Sequence, residues 1–215
     1  GQNLIICSHG VGPEIYQKAQ EKKWKITDAT CPFVAKAQNL ANQLAKEGRM
    51  VIIVGDKNHP EVKGLLAWAG ENAFAIANVQ EVQALPCFTQ PIGILAQTTQ
   101  QEQNFQQVIL YLQQKYNDVK VCDTICKATA ERQNAAAELA KTVDIVLVIG
   151  GKNCANTRNL VAVCQAQNTP AYLIESPADL QGISLRNIKK VGISAGASTP
   201  DWIIQEIEEV VGKMS

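Results

Sequence analysis

Two cysteines, Cys31 and Cys126, occupy the same place in two similar stretches of the chain. Each lies three residues after an aspartate, Asp28 or Asp123, and shortly before a segment whose apolar residues have helical spacing. The N-terminus of a helix lowers the pKa of a thiol and favours the thiolate, which is the form that binds metal. Three such thiolates would suit an iron–sulfur cluster with one iron free of protein ligands, but two would not complete it.

The cysteine pattern is compatible with more than one origin. A duplication that copied one buried, inert cysteine would give the same spacing. Zinc is disfavoured because the sequence has no CxxC or HxxxH spacing. Cys7 and Cys154 do not stand at the repeated position, which argues against them as substitute ligands.

The chain has only two histidines, His9 and His59, and both stand in loops marked by glycine or proline that follow apolar runs. Imidazole at such a place can bind an anion or relay a proton. Glu61 follows in the turn His59-Pro60-Glu61 and is a candidate proton donor if burial raises its pKa. A first-turn carboxylate that complements the helix dipole explains Glu61 equally well.

Three further polar residues, Thr98, Asn156 and Ser198, stand in turns that precede helical segments. Hydroxyls, amides and free backbone N–H groups gather around anions at such turns, although each residue could also be an ordinary helix cap. The sequence has no P-loop and no GxGxxG, so a nucleotide site is not indicated.

Short β-branched runs alternate with helical segments along the whole chain, which predicts an α/β fold with parallel sheets and helices on their faces. Loops that bind ligands should then follow the carboxyl ends of the strands. The strands are predicted at 3–7, 50–54, 92–96, 119–122, 144–149, 171–174 and 190–194, and the clearest helices at 34–45, 105–112, 128–139 and 203–211.

An internal repeat relates the second and third parts of the chain. A shift of 95 residues places Asp28 on Asp123, Cys31 on Cys126 and Lys57-Asn58 on Lys152-Asn153 without gaps. Residues 1–27 resemble only the closing part of such a module. We therefore predict a pseudo-threefold trefoil of α/β modules at 1–30, 31–122 and 123–215, with the first incomplete and its cysteine expected in a missing N-terminal segment.

Composition narrows the choice of partners. The 215 residues carry 20 basic and 20 acidic side chains, so general nucleic-acid binding is disfavoured. The sequence has no apolar run of the roughly 18 to 20 residues that a membrane span needs, and its first ten residues lack the features of a signal peptide. Seven cysteines, an odd number, argue against a disulfide framework. A cytoplasmic protein without membrane partners is expected.

The ordered motifs SHGV, DATCP, HPEVKG, QTT, DTICKAT, KN-x-x-N-T and AGAS-x-PD resemble those of the LytB or IspH family of hydroxymethylbutenyl diphosphate reductases. The resemblance implies a trefoil around a [4Fe-4S] cluster held by three cysteines. It implies an enzyme that reduces 4-hydroxy-3-methylbut-2-enyl diphosphate to isopentenyl and dimethylallyl diphosphate, the last step of the non-mevalonate isoprenoid pathway. A ferredoxin or flavodoxin is the electron donor that this resemblance suggests.

The same resemblance assigns roles residue by residue. Cys31 and Cys126 resemble two of the three cluster ligands. Glu61 resembles the glutamate that delivers the proton, and His59 and Thr98 resemble residues that line the hydroxyl end of the substrate. On the diphosphate side of the pocket, the matching residues are His9, Asn156 and Ser198.

The chain departs from the family pattern in two ways. The N-terminal segment with the first cysteine and a further histidine is absent, so the chain by itself is expected to be inactive. The loop that usually reads KNSSN is KNCAN here, which places Cys154 and Ala155 where diphosphate-binding hydroxyls are usual. These departures support an alternative function: a non-catalytic module that binds diphosphate or a small anion and has lost the cluster.

Overall fold

Short segments of four or five residues form the strands of three separate parallel sheets in the computed structural model, which describes residues 2–214. The chain divides into two compact units, one ending at Cys126 and the other beginning at Lys127. The predicted α/β fold with small parallel sheets is confirmed. No helix in the described part of the chain is long and apolar enough to cross a membrane.

The first unit contains two of the sheets. In the smaller one, β1 (Asn3–Ile6) runs parallel to β2 (Lys25–Asp28), and α1 (Pro13–Glu21) connects them. The larger sheet has the strand order β4-β3-β5-β6. Its strands are β3 (Met50–Val54), β4 (Ala73–Ile76), β5 (Ile92–Ala96) and β6 (Val119–Cys122), and its helices are α2 (Pro32–Lys46), α3 (Pro60–Ala69), α4 (Val79–Gln83) and α5 (Glu102–Lys115).

The second unit contains one sheet with the strand order β8-β7-β9. Every residue of its central strand is buried, as in β3 and β5, because helices cover both faces of a parallel sheet. The strands are β7 (Ile145–Ile149), β8 (Ala171–Ile174) and β9 (Val191–Ala195). The helices are α6 (Lys127–Ala140), α7 (Ala155–Gln165) and α8 (Asp201–Lys213), with a 3-10 helix at Pro177–Gly182.

The internal repeat extends to the packing of helices on strands. A Cβ atom on Gly93 in β5 would lie 2.8 Å from Leu44 Cδ2, and one on Gly192 in β9 would lie 3.1 Å from Leu139 Cγ. Leu44 and Leu139 are related by the 95-residue shift. Each glycine therefore gives the leucine of its own module room to approach the strand.

The repeat also includes two short helices that the sequence did not predict. Glu81 Oε2 accepts a hydrogen bond from the Ala77 N–H at 2.8 Å, and Asp179 Oδ2 accepts one from the Glu175 N–H at 2.9 Å. Each bond reaches back four residues and fixes the start of α4 or of the 3-10 helix. These helices have five and six residues, too few for a periodic apolar pattern to appear.

The predicted ranges 1–30, 31–122 and 123–215 each contain one sheet. Residues 1 and 215, at the outer ends of these ranges, lie outside the described residues. The division into three modules stays a prediction, because the compact units number two.

Replacement of Leu44 by alanine tests this packing. Leu44 is 1% exposed, so Leu44→Ala should lower the free energy of unfolding by about 2–5 kcal/mol through lost burial and a residual cavity. Leu110→Ala is the matched control, since Leu110 is 58% exposed and should change stability by less than about 0.5 kcal/mol. Denaturant unfolding measures both, and equal losses in the two variants would contradict the described core.

Candidate active site

Each of the two repeated cysteines follows a turn built by an aspartate. Asp28 Oδ1 accepts a hydrogen bond from the Thr30 N–H at 2.9 Å, and Asp123 Oδ1 accepts one from the Ile125 N–H at 3.1 Å. An aspartate that binds the backbone two residues ahead makes a local turn at the end of a strand. The aspartate of the repeat therefore sets the direction in which the chain leaves β2 and β6.

A second bond holds each cysteine against the neighbouring strand end. The Cys31 N–H donates to the Ser8 carbonyl at 3.0 Å, and the Cys126 N–H donates to the Thr98 carbonyl at 2.9 Å. Cys31 caps α2, and α6 begins directly after Cys126. Both thiols are free and partly exposed. Two free thiols at helix starts form a donor set that fits thiolate ligands of an iron–sulfur cluster.

Glu61 is the most enclosed acidic residue of the site. It lies in the first turn of α3 and is 2% exposed. Its carboxylate accepts two hydrogen bonds from one residue: the Thr98 N–H donates to Oε1 at 2.6 Å, and the Thr98 hydroxyl donates to Oε2 at 3.0 Å. Glu61 belongs to α3, which follows β3, and Thr98 follows β5. Because β3 and β5 are paired and parallel, their carboxyl ends are adjacent and bring Glu61 and Thr98 together.

Burial raises the pKa of the Glu61 carboxyl above its ordinary value, and the two bonds from Thr98 only partly oppose that rise. The burial contribution dominates because little solvent reaches the carboxylate. A carboxyl that holds its proton closer to neutral pH is suited to proton donation. The helix-dipole interpretation of Glu61 does not account for the bidentate contact with Thr98.

His59 caps α3, and the Glu61 N–H donates to its Nδ1 at 3.2 Å. Because Nδ1 accepts this bond, the neutral ring carries its proton on Nε2. The ring of His9 meets that of His59 edge to face, with 4.9 Å between centroids. One ligand atom from each of His9, His59 and Glu61 lies within 4.8 Å of the other two. The structure thus brings three predicted site residues into one cluster.

The turn that carries His9 is fixed by side chains from α2 and α3. Gln38 Nε2 donates to the Val11 carbonyl at 3.3 Å, and Trp68 Nε1 donates to the same carbonyl at 2.9 Å. Gly10 has a φ of +66°, and a Cβ there would collide with the Gln38 amide. The position of His9 beside His59 therefore depends on a glycine and on two side-chain donors.

Gln97 is a site residue that sequence reasoning missed as an individual, although the QTT motif contains it. Its side chain is buried, and Oε1 accepts a hydrogen bond from the Asp56 N–H at 3.1 Å. Within residues 2–214, its Nε2 has no hydrogen-bond partner. A buried amide N–H₂ next to Thr98 is available to a bound ligand.

In the second unit, the first turn of α7 contains two buried polar side chains. Asn156 is 5% exposed, and neither of its amide atoms has a hydrogen-bond partner among the described residues. Thr157 is 1% exposed, and its hydroxyl is likewise unpartnered there. A Cβ on Gly150 would lie 2.6 Å from the Thr157 hydroxyl, and a Cβ on Gly196 would lie 2.5 Å from it, so these two glycines leave the room that the hydroxyl occupies. The sequence did not single out Thr157.

The remaining predicted residues of the second unit are Cys154 and Ser198. Cys154 caps α7 and is partly exposed, and Ser198 lines a cavity of about 190 Å³ together with Gly150 and Thr199. Unpartnered amide and hydroxyl groups at a helix N-terminus are chemically suited to an anion such as a phosphate group. Among the predicted site residues, those up to Cys126 belong to the first unit, and Cys154, Asn156 and Ser198 belong to the second.

Comparisons with known proteins agree with these motifs. The family profile described as LytB protein matches residues 1–212. A protein of Pelobacter propionicus named 4-hydroxy-3-methylbut-2-enyl diphosphate reductase is 42% identical over 212 residues, which are 99% of this chain and 75% of that protein. A protein of Helicobacter pylori with the same name is 38% identical over 210 residues, 98% of this chain and 76% of the relative.

Two solved structures are also similar. The E-1-hydroxy-2-methyl-but-2-enyl-4-diphosphate reductase from Plasmodium falciparum matches with a TM-score of 0.91 and 31% identity, over 99% of this chain and 67% of that one. A second structure, of (E)-4-hydroxy-3-methyl-but-2-enyl diphosphate reductase, matches with a TM-score of 0.60 and 40% identity, over 98% and 76%. The profile, the relatives and the folds agree, and the chain therefore belongs to the LytB protein family.

Proposed function

We propose that this chain carries out the reaction for which its relatives are named, the reductive dehydroxylation of 4-hydroxy-3-methylbut-2-enyl diphosphate. The substrate takes up two electrons and two protons, its allylic C–O bond breaks, and water leaves. The products are isopentenyl and dimethylallyl diphosphate. The observation that carries the proposal is the buried Glu61 carboxyl, which Thr98 binds in the same cluster as His59 and His9.

Cys31 and Cys126 would hold a [4Fe-4S] cluster, with the third cysteine from a segment outside the described residues. Held there, the cluster would supply single electrons and Lewis acidity at the reacting end of the substrate. The equivalent turns before the two cysteines support this role, since each presents a free thiol at the start of a helix. The iron–sulfur assignment belongs to the proposal.

Glu61 would deliver a proton to the reacting end of the substrate. Burial keeps the carboxyl protonated to a higher pH than usual, since it raises the pKa, and the Thr98 N–H and hydroxyl hold it in one orientation. After the proton leaves, these two bonds stabilise the carboxylate that remains. Thr98 is then a positioning residue for Glu61 and a neighbour of the substrate hydroxyl.

His59 and His9 would bind oxygen atoms of the substrate. His59 Nδ1 accepts the Glu61 N–H, which fixes the orientation of the ring at the start of α3. Within the second unit, Asn156 and Ser198 would bind phosphate oxygen atoms, since the unpartnered Asn156 amide supports an anion site there.

The electron donor and the location follow from the same proposal. A ferredoxin or flavodoxin would supply the electrons one at a time, and the reaction would take place in the cytoplasm. The neutral net charge of the chain is compatible with a local site for one diphosphate.

Cys154 and Ala155 favour a second candidate, a module that binds a small anion without catalysis. Both stand in the loop where the family usually has hydroxyls. Titration of the whole native polypeptide with the substrate diphosphate, without oxygen and with a reductant, separates the two functions. Turnover supports the reductase, whereas saturable binding without turnover supports the binding module.

Replacement of Glu61 by glutamine tests proton delivery. The amide oxygen of the introduced glutamine can still accept the Thr98 N–H, so the fold should persist while turnover falls by about 10²–10⁴-fold. The control is Glu102→Gln, since Glu102 is an exposed acid in the first turn of α5 and should leave turnover unchanged. Steady-state rates with a chemical reductant measure both. Full turnover in Glu61→Gln would refute the role.

The pH dependence of stability tests the burial of Glu61 separately. Its pKa in the folded protein is raised above 4.5, so the stability that protonated Glu61 contributes is fully present below pH 4.5. That contribution is lost as pH rises through the folded-state pKa, by about 1.4 kcal/mol for each pH unit by which that pKa exceeds the unfolded value.

Wild type should therefore lose stability relative to Glu61→Gln over this pH range, as denaturant unfolding at a series of pH values would measure. Parallel stability curves for the two proteins would contradict a raised pKa. Glu102→Gln is again the control, and its curve should stay parallel to that of the wild type.

Serine replacements test the cluster ligands. The whole native polypeptide, expressed without oxygen, should be brown, and Cys31→Ser or Cys126→Ser should remove most of the visible absorbance and iron. Cys87→Ser should retain both, because Cys87 is exposed and lies outside the repeated position. Visible absorption and iron analysis measure the outcome. A colourless wild type, or full absorbance in both ligand variants, would contradict the assignment.

A further inference from the structure

Cys154 stands at the N-cap of an eleven-residue helix whose first turn has unsatisfied polar groups. Its thiol is free and partly exposed, and it makes no side-chain capping bond within the described residues. The amide of Asn156 and the hydroxyl of Thr157 lie in the same turn, more than nine-tenths buried and without partners there. The buried Asn156 amide, neither of whose polar atoms has a partner there, indicates that this turn receives a ligand.

The equivalent cap in the first unit shows what the turn accepts. His59 and Cys154 are related by the 95-residue shift, as are Glu61 and Asn156. In α3, the cap is His59, and the N–H of Glu61, two residues later, donates to His59 Nδ1 at 3.2 Å. The corresponding donor in α7 is the Asn156 N–H, and a thiolate at Cys154 would be its acceptor. A neutral thiol is a much weaker acceptor than imidazole nitrogen.

The charges around Cys154 also favour the anion. Burial opposes ionisation of the thiol, but a thiolate would accept hydrogen bonds from the Thr157 hydroxyl and from the N–H groups of Thr157 and Asn156. These bonds and the positive charge of Arg158 outweigh the effect of burial and lower the pKa of Cys154. The other charged groups nearby largely compensate one another. Lys152 Nζ lies 2.7 Å from Asp179 and 4.0 Å from Glu175.

We propose that Cys154 is a modification site: its thiolate reacts with hydroperoxides, and this reaction and the binding of a phosphate group to the first turn of α7 exclude one another. The phosphate part rests on the proposed function, whereas the reactivity of the thiol does not. The sulfur takes the distal oxygen of the hydroperoxide, the O–O bond breaks, and the alkoxide takes a proton from water. The sulfur is oxidised to the sulfenic acid, and the peroxide is reduced to an alcohol.

The Cys154 thiolate and a bound phosphate group exclude one another because they need the same hydrogen-bond donors in the first turn of α7. A thiolate and a phosphate oxygen both require the N–H groups and the Thr157 hydroxyl of one turn, and two adjacent anions repel. A bound diphosphate must therefore raise the pKa of Cys154 and slow its reaction. Oxidised Cys154 is larger than the thiol and would block the same donors.

Alkylation with iodoacetamide, read peptide by peptide with mass spectrometry, tests the reactivity of all seven cysteines at once. Cys154 should react faster at pH 7 than the more exposed Cys7 and Cys87, with a rate midpoint at lower pH than that of a cysteine in an unstructured peptide. Thr157→Val should move that midpoint to higher pH. Either faster labelling of Cys7 and Cys87 or a Cys154 midpoint no lower than that of the unstructured peptide would overturn the proposal.

Inorganic diphosphate tests the exclusion. It should slow alkylation of Cys154 at least tenfold in a saturable way and leave Cys87 unaffected, and Asn156→Ala should weaken this protection. Hydroperoxide should abolish diphosphate binding in the wild type and leave it intact in Cys154→Ser. A thiol that diphosphate does not protect would overturn the exclusion. Failure of the reductase function would appear instead as absent turnover with this protection unchanged.

Discussion

The carboxyl of Glu61 lies where the ends of two adjacent parallel strands meet, and the geometry of the first unit is organised around it. Val54 of β3 pairs with Ala96 of β5, so the loop before α3 and the turn that carries Thr98 leave the sheet side by side. The Thr98 N–H and hydroxyl bind the carboxylate, while Glu61 itself donates its N–H to His59. One buried acid thus fixes the turn beside it and the histidine that precedes it.

The same contact links the acid to a cysteine. The Thr98 carbonyl accepts the N–H of Cys126, and the Thr98 N–H donates to Glu61. The N–H of Thr98 therefore binds the proposed proton donor, Glu61, and the carbonyl of Thr98 binds the backbone of a proposed cluster ligand, Cys126. A displacement of Thr98 would disturb both hydrogen bonds. A small hydroxyl residue with a fixed backbone therefore suits this place better than a residue with a flexible side chain.

The two copies of the internal repeat, in 31–122 and 123–215, place different side chains at equivalent positions. At the helix cap, His59 corresponds to Cys154, and two residues later Glu61 corresponds to Asn156. The first of these copies surrounds its acid with donors and so satisfies the buried carboxyl. The second leaves an amide and a hydroxyl unpartnered among the described residues. A proton donor and an anion site can thus arise from the same turn through a change of two side chains.

Much of this arrangement could be predicted from the sequence, because repeats and strand periodicity report directly on parallel α/β modules. The repeated position of Cys31 and Cys126, and the polar turns after strands, were predictable in the same way. Contacts such as the Trp68 bond to the Val11 carbonyl and the role of Gln97 were not, because they join residues 57 and 41 positions apart through side-chain geometry. The raised pKa of Glu61 likewise depends on burial that no local pattern reports.

The central claim is that Glu61 is a buried acid that Thr98 holds ready to donate a proton. Carbon-13 NMR of glutamate side-chain carboxyls, with the Glu61 signal assigned by its absence in Glu61→Gln, measures this directly. The carboxyl should titrate above 4.5, and Thr98→Val should move the midpoint higher, because the Thr98 hydroxyl lowers the pKa. A midpoint at or below 4.5, unchanged in Thr98→Val, would contradict the account.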